Sequence, residues 1–289
     1  MSSHGRLNII IVNYNSHKLT INCINSILNH KISSPEDIIV VDNLSPDDSV
    51  IELKRFFKST NLPVKLYQSP VNNGYSSGVN AGVELADKEF ILVLNPDTYF
   101  NDNKLNLILD RFDTDNKLGI AGLDLCYPDG ERQYAARRFY TIADIVARRS
   151  GPLQKIWPFS KIIKRHLMIS EWLINKPFEA DWVMGTGFII RKSTFDLIGR
   201  MNEKYFLYME DVDLCARVWK LGLKVLCFPS VTLVHDHQRS SAKVIFSNAA
   251  KRHFKSLFIF WRDYKIPFIV PPSRYSLSRS FKKISKIKI

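Results

Sequence analysis

Three short, nearly uninterrupted apolar runs constrain this chain more than anything else in it: Leu7-Asn8-Ile9-Ile10-Ile11-Val12, Asp37-Ile38-Ile39-Val40-Val41-Asp42 and Phe90-Ile91-Leu92-Val93-Leu94. A strand apolar at successive positions must be covered on both faces, which is the habit of parallel sheets layered between helices. The segments between them suit those helices. Leu19, Cys23, Ile24 and Ile27 follow helical spacing, and residues 50–57 form a second apolar helix opened by Ser45-Pro46-Asp47-Asp48. Residues 64–68 read as a short third strand. A Gly-rich loop and helix, residues 72–82, then lead into the strand at 90–94. This βαβαβαβ order predicts an α/β fold with a doubly wound, Rossmann-like, mostly parallel sheet flanked by helices. Ligands are expected outside the carboxyl ends of its strands.

Polar residues fall where that rule places a site. Asn13-Tyr14-Asn15 follows the first strand, Asp42-Asn43 the second, and Asn95-Pro96-Asp97 the fourth. Each cluster alone is also ordinary turn chemistry; three in succession point to a ligand. Neither GxxxxGK[ST] nor GxGxxG occurs, so the usual phosphate cradles are absent. A divalent metal on Asp97 would neutralise a diphosphate in their place.

A further signal lies in Phe206-Leu207-Tyr208-Met209-Glu210-Asp211-Val212-Asp213. Three carboxylates among apolar residues are costly to desolvate without a role. Leu214, Val218 and Leu221 then make a helical stripe, with Gly222 a stop. Glu210 and Asp211 would face a cavity at the helix entrance, as a general base requires; the same acids also suit a capping turn.

The formal charge is +13 over 289 residues, with 45% hydrophobic and 24% charged residues, a globular composition. From Arg239 onward there are thirteen Lys and Arg against one acid, Asp263, so the first 238 residues carry only +1. A near-neutral body with a basic, aromatic-rich end suits an anionic membrane surface. It also suits a helix packed on the body with a solvated basic face. No RNA-stacking or Cys/His finger motif supports nucleic-acid binding. Cys23, Cys126, Cys215 and Cys227 lack metal or redox spacing, and there is no leader or spanning run, so a cytoplasmic protein is expected.

The ordered motifs Val12-Asn13-Tyr14-Asn15-Ser16, Val41-Asp42-Asn43-Leu44-Ser45, Asn73-Gly74-Tyr75 with Asn80-Ala81-Gly82, and Leu94-Asn95-Pro96-Asp97-Thr98 carry a family resemblance. So do Trp182-Val183-Met184-Gly185-Thr186-Gly187, Arg191 and the segment 206–213. Over residues 7–237 the chain resembles family 2 inverting glycosyltransferases of the GT-A fold. It is most similar to the bacterial rhamnosyltransferase-like branch that builds O-antigen and related surface polysaccharides; galactofuranosyltransferases share much of the pattern. The resemblance implies a GT-A domain over 1–238, with a nucleotide-sugar half to about 123 and an acceptor half beyond. A basic helical extension follows over 239–289.

It also implies roles. Asn13 and Asn15 would border the nucleotide and Asp42 would hydrogen-bond a pyrimidine. Asn73, Gly74 and Asn80 would line the base and ribose pocket, with Gly78 permitting close approach. Asp97 matches the last Asp of the DxD motif, whose first Asp is Asn95 here, and would bind Mg2+ or Mn2+. His235, or His237, would complete the metal shell, although a lone histidine is equally a structural residue. Trp182, with Gly185 and Thr186, would wall the acceptor site, Trp182 stacking on a sugar face; a tryptophan is otherwise an ordinary core residue. Asp211 matches the catalytic base, with Glu210 its neighbour, and Arg217 and Arg239 are diphosphate candidates. The implied partners are a nucleotide-sugar donor, a lipid-linked oligosaccharide acceptor and the inner face of the cell membrane. The donor is expected to be dTDP-L-rhamnose, with UDP-galactofuranose the alternative. A silent sugar-nucleotide-binding scaffold is the reading from another class.

Overall fold

A computed structural model describes residues 5–236 and 248–271. His237, Arg239 and the cationic stretch after Pro271 lie outside the described residues.

The first half follows the expected alternation: β1 (Leu7–Asn13), α1 (His17–Asn29), β2 (Ile38–Asp42), α2 (Ser49–Thr60), β3 (Lys65–Gln68), α3 (Tyr75–Glu84) and β4 (Phe90–Leu94). β1, β2 and β4 are buried at every position. Alternate side chains enter two separate cores, as the two-residue period of a strand requires. Ile9, Ile11, Val40 and Leu92 pack with α1 and α2 on one side. Ile10, Val12, Val41 and Val93 pack with α3 on the other. β1 pairs in parallel with β2 and β4, and β2 with β3. The register sets Asn13 opposite Asp42, so the first two strand-end clusters meet.

The second half adds β5 (Thr98–Tyr99), α4 (Asn106–Thr114) and β6 (Leu118–Cys126). β7 (Ala136–Arg137), α5 (Ile142–Arg149), α6 (Phe159–His166), α7 (Ile169–Ile174) and β8 (Phe178–Glu179) follow. β9 (Trp182–Val183), β10 (Gly187–Arg191), α8 (Lys192–Leu197), α9 (Glu210–Lys220), β11 (Lys224–His235) and α10 (Asn248–Tyr264) complete it. The sheet order is β3-β2-β1-β4-β10-β6-β11-β5, with β8 beside β11. The sheet is thus only mostly parallel. β10 runs antiparallel between β4 and β6, and that reversal sets the site. An antiparallel strand begins where its parallel neighbour ends, so Gly187 lies opposite Leu94 and Gly185–Thr186 stand beside Asn95. β11 ends likewise against β5, with His235 opposite Thr98.

Residues 127–181 form mainly short helices. Their anchors are polar. Thr141 and Asp144 make a reciprocal capping box at α5, and Arg165 of α6 pairs with Asp144 at 2.8 Å. α10 packs on the body, burying Phe260, while its Tyr264 donates to Asp213 of α9 at 2.7 Å. Phe254, Phe258 and Trp261 of the same helix remain exposed. α9 ends as expected, with Gly222 in the left-handed region (φ 74°), whereas Leu221 lies half-exposed outside the buried stripe.

Candidate active site

The acidic segment enters α9 through two consecutive left-handed residues, Tyr208 (φ 71°) and Met209 (φ 69°). Each costs on the order of 1–3 kcal/mol for a residue with a side chain. Ser256 of α10 braces this turn by donating to the Leu207 carbonyl at 2.8 Å. The result separates the three acids. Asp213 turns into the body, accepting from Arg217 Nε at 2.8 Å and the Tyr264 hydroxyl. Glu210 and Asp211 line a cavity of about 560 Å3.

The two cavity acids differ in environment. Asp211 accepts the Gly185 N–H on Oδ2 at 2.9 Å and the Val212 N–H on Oδ1 at 2.8 Å. Tyr75 donates its hydroxyl to the Gly185 carbonyl at 2.9 Å and so orients that peptide. A Cβ on Gly185 would come 3.3 Å from the Asp211 Cβ, so a small residue keeps the donor close. Glu210 is buried, and its Oε2 has no hydrogen-bond partner among the described residues. Burial first, then the Asp211 charge, push the Glu210 carboxyl well above its ordinary range. Burial also raises Asp211, but two backbone N–H groups and Arg137 oppose the rise. Of the two, Glu210 is pushed further toward its protonated form, and Asp211, held by two N–H groups, is the better placed to stay a carboxylate.

Asp97 and His235 meet at the other side of the cavity, Nε2 to Oδ2 at 3.4 Å. Gln133 fixes the ring. Its Nε2 donates to the His235 carbonyl at 2.8 Å, so its Oε1 faces Nδ1 at 2.7 Å and accepts from it. In the neutral ring Nε2 then carries the lone pair, directed at Asp97, the tautomer a metal ligand needs. The other Asp97 oxygen is buried without a hydrogen-bond partner among the described residues. These two donors suit a divalent ion, which would supply charge neutralisation for a diphosphate. Among the described residues no group of three or more His, Cys, Asp or Glu is arranged around one ion. Asn95 is engaged with Thr186, its Nδ2 donating to Oγ1 at 3.3 Å.

Asp97, His235, Glu210, Asp211, Trp182, Gly185 and Thr186 thus share one cavity. Other expected residues lie apart from it. Asn13 and Asp42 are fully buried. Asp42 accepts from Asn13 Nδ2 (2.7 Å), the Ser45 hydroxyl (2.6 Å) and the Ser45 N–H (2.9 Å). Its carboxylate shapes the strand-end loop and is not open to a base. Asn15 is exposed, its N–H donating to Ser45, and Asn73 is exposed on the loop before α3. At Gly74 (φ 96°) an added Cβ would lie 2.2 Å from the Phe206 carbonyl oxygen. Its role is to let α3 approach the segment leading to α9. Gly78 likewise approaches Val12, not a ligand.

Three expectations are corrected. Asn80 donates to the Met201 carbonyl and Glu203 and accepts from the Met201 N–H, which places it in a separate surface hollow. Arg217 lies there too, donating to Asp213 and to the carbonyls of Ile198 and Arg200 at 2.6 Å; it is a structural clamp, turned from the cavity. Trp182 is buried, its Nε1 donates to the Arg138 carbonyl, Tyr140 stacks on it and the Arg137 guanidinium lies over it. Little of its ring is left for a sugar to stack on, and Tyr140 and Arg137 line the cavity beside it. The cavity is also lined by Tyr75, a motif residue to which the sequence assigns no role, and by Arg148, Arg149 and His253, with Gln133 supporting it from behind, none of which the sequence singles out. The doublets Arg137-Arg138 and Arg148-Arg149 are the one sequence signal that points to this wall.

Comparison with known proteins identifies the class. By fold the chain is a GT-A glycosyltransferase. It superposes on the mannosyltransferase PcManGT of Pyrobaculum calidifontis, solved with GDP-Man and Mn2+ (TM-score 0.62, 13% identity, 94% of this chain and 69% of that one). It also superposes on GalNAc-T7, solved with UDP, GalNAc and Mn2+ (TM-score 0.61, 16% identity, 90% of this chain), and spans about half of that protein, 48%. The chain belongs to glycosyl transferase family 2, whose family model matches residues 8–182. It is 27% identical over 258 residues to the N-acetylglucosaminyl-diphospho-decaprenol L-rhamnosyltransferase of Mycobacterium tuberculosis, covering 85% of this chain and 81% of that protein. It is 25% identical over 204 residues to rhamnosyltransferase WbbL of Escherichia coli, covering 70% and 69%.

Proposed function

We propose that this glycosyltransferase is an inverting, metal-assisted rhamnosyltransferase that moves L-rhamnose from dTDP-L-rhamnose onto a lipid-linked precursor of a surface polysaccharide. The observation that carries the reading is the juxtaposition in one cavity of Asp211, oriented by the Gly185 N–H, and the Asp97–His235 pair. Rhamnosyl transfer and the lipid diphosphate acceptor draw their support from the names of the mycobacterial and E. coli relatives.

Asp97 and His235 would hold a divalent ion, which supplies charge neutralisation for the departing diphosphate. The remaining chemistry belongs to the protein. Asp211 accepts the proton of the acceptor hydroxyl as that oxygen bonds to the anomeric carbon. The bond from that carbon to the diphosphate breaks, and its electron pair leaves with the nucleoside diphosphate. Attack from the face opposite the leaving group inverts configuration. Glu210, protonated, adds no further negative charge beside the base. Tyr75 holds the Gly185 peptide and therefore the direction of Asp211. The reading places the enzyme at the cytoplasmic face of the membrane. The exposed aromatics of α10 and the cationic end of the chain support this, and no helix among the described residues is long and apolar enough to cross a bilayer.

A UDP-sugar donor, galactofuranose included, is the alternative reading, favoured by the UDP in the GalNAc-T7 structure and in that of TarS from S. aureus. Initial rates with dTDP-rhamnose, UDP-galactofuranose, UDP-GlcNAc and GDP-mannose separate the two. Competitive product inhibition by dTDP and not UDP is the expected result; the reverse overturns the rhamnosyl assignment.

A further inference from the structure

The insert that carries α5 holds five arginines near the cavity, and they fall into two groups. Arg138 pairs with Glu171 and Asp181, and Arg165 with Asp144. Arg137, Arg148 and Arg149 line the cavity and have no ion-paired carboxylate among the described residues. Residues 1–4, 237–247 and 272–289 contain no Asp or Glu that could supply one. Three like charges are thus held together at a cavity wall with no ion pair and only the Asp211 charge in reach of Arg137, an arrangement that an incoming anion relieves. Neighbouring groups register the field. Burial and then Arg148 push Arg137 down to about 10, and His253 is lowered by burial, Arg149 and Arg148.

The cluster shares the cavity with the base: Asp211 is within electrostatic reach of Arg137. It also meets an apolar surface. The Arg149 guanidinium lies over the Phe254 ring at 4.5 Å, and Phe254, Phe258 and Trp261 follow at spacings of four and three along one face of α10. Their exposures are 53%, 61% and 50%. An aromatic stripe left in water beside an unneutralised cationic cluster matches a ligand with an anionic head and a hydrocarbon tail.

We propose that Arg137, Arg148 and Arg149 are the acceptor's anion site: they take the diphosphate of a prenyl-diphosphate-linked sugar, and its chain lies along Phe254, Phe258 and Trp261. Seated there, the acceptor presents its sugar hydroxyl to Asp211. The inference rests on the glycosyltransferase reading for the acceptor's role, and on geometry alone for the binding.

The test is direct binding by the full-length protein, independent of turnover. Geranyl diphosphate serves as probe, geraniol as its uncharged control and dTDP and UDP as reporters of the donor side. The double variant R148Q/R149Q, both positions at the exposed rim, should keep its melting temperature and its nucleotide affinity. It should bind geranyl diphosphate roughly tenfold or more weakly, as expected for lost charge-assisted hydrogen bonds. F258S should weaken the probe without affecting inorganic diphosphate. Unchanged probe binding in R148Q/R149Q overturns the proposal. So does a parallel loss of dTDP or UDP, which would assign the cluster to the donor, or displacement of the probe by phosphatidylglycerol micelles at equal lipid concentration, which would assign it to bulk membrane. A wild type that transfers no sugar yet loses probe binding on mutation would sink the glycosyltransferase reading and leave the site standing.

Discussion

Asp211→Asn removes the proton acceptor while preserving the size of the side chain, and the structure determines what else changes. Loss of a positioned general base costs about 10²–10⁴ in rate, or roughly 2.7–5.4 kcal/mol of barrier. The wild-type carboxylate accepts one backbone N–H on each oxygen, from Gly185 and Val212. Asn has one acceptor oxygen, so one of those N–H groups must face an amide NH2. That mismatch costs about 1–3 kcal/mol of stability, and a lowered melting temperature should accompany the rate loss. Removing the Asp211 charge also removes a cause of the raised Glu210 carboxyl, so Glu210 ionises at lower pH in the variant. A residual rate that grows with pH is the expected signature. Initial rates of nucleoside diphosphate release across a pH series, with dTDP affinity measured by calorimetry, would test all three effects. Normal turnover in Asp211→Asn together with a collapse in Glu210→Gln would refute the reasoning and transfer the base to Glu210.

Glu210→Gln should stabilise the fold in a pH-dependent manner. The buried carboxyl is protonated when folded and ionised when unfolded, so its contribution is intact below about 4.5, its ordinary value, and declines as pH rises toward the higher folded value; thermal melts should show the variant's advantage at neutral pH and little of it near pH 4. Asp97→Ala should abolish transfer with the melting temperature retained, and EDTA should silence the wild type until Mn2+ or Mg2+ is restored. Full activity in EDTA would remove the metal from the mechanism. Truncation after Pro272 deletes Arg274, Arg279, Lys282, Lys283, Lys286 and Lys288, each worth about 1 kcal/mol near an anionic surface. Sedimentation with anionic vesicles should fall sharply while transfer to a short soluble acceptor persists, and equal vesicle binding would reduce the tail to a solvated terminus.

Much of this architecture was legible in the chain itself. Apolar runs too continuous for a half-exposed strand require cover on both faces, and β1, β2 and β4 have it. The acids at 210–213 announce a helix entrance because desolvating them demands a compensating geometry, and α9 begins at Glu210. Asp97 and Asp211 stood out by local pattern, one following a strand and the other in the first turn of a helix, whereas His235 came from the family resemblance alone.

What the sequence could not decide is which polar groups are already occupied. Asp42 and Asp211 are both strand- or helix-end carboxylates, yet Asp42 is consumed by Asn13 and Ser45 while Asp211 keeps a place in the cavity. Arg217 and Arg137 are both arginines in apolar surroundings, but Arg217 is spent on Asp213 and two carbonyls whereas Arg137 lines the cavity. The antiparallel entry of β10 is equally invisible locally, although it alone carries Gly185 to Asp211 and Thr186 to Asn95. Periodicity records which face of an element is buried. Only the folded chain settles which hydrogen-bonding groups find partners far away in sequence, and those left over make the site.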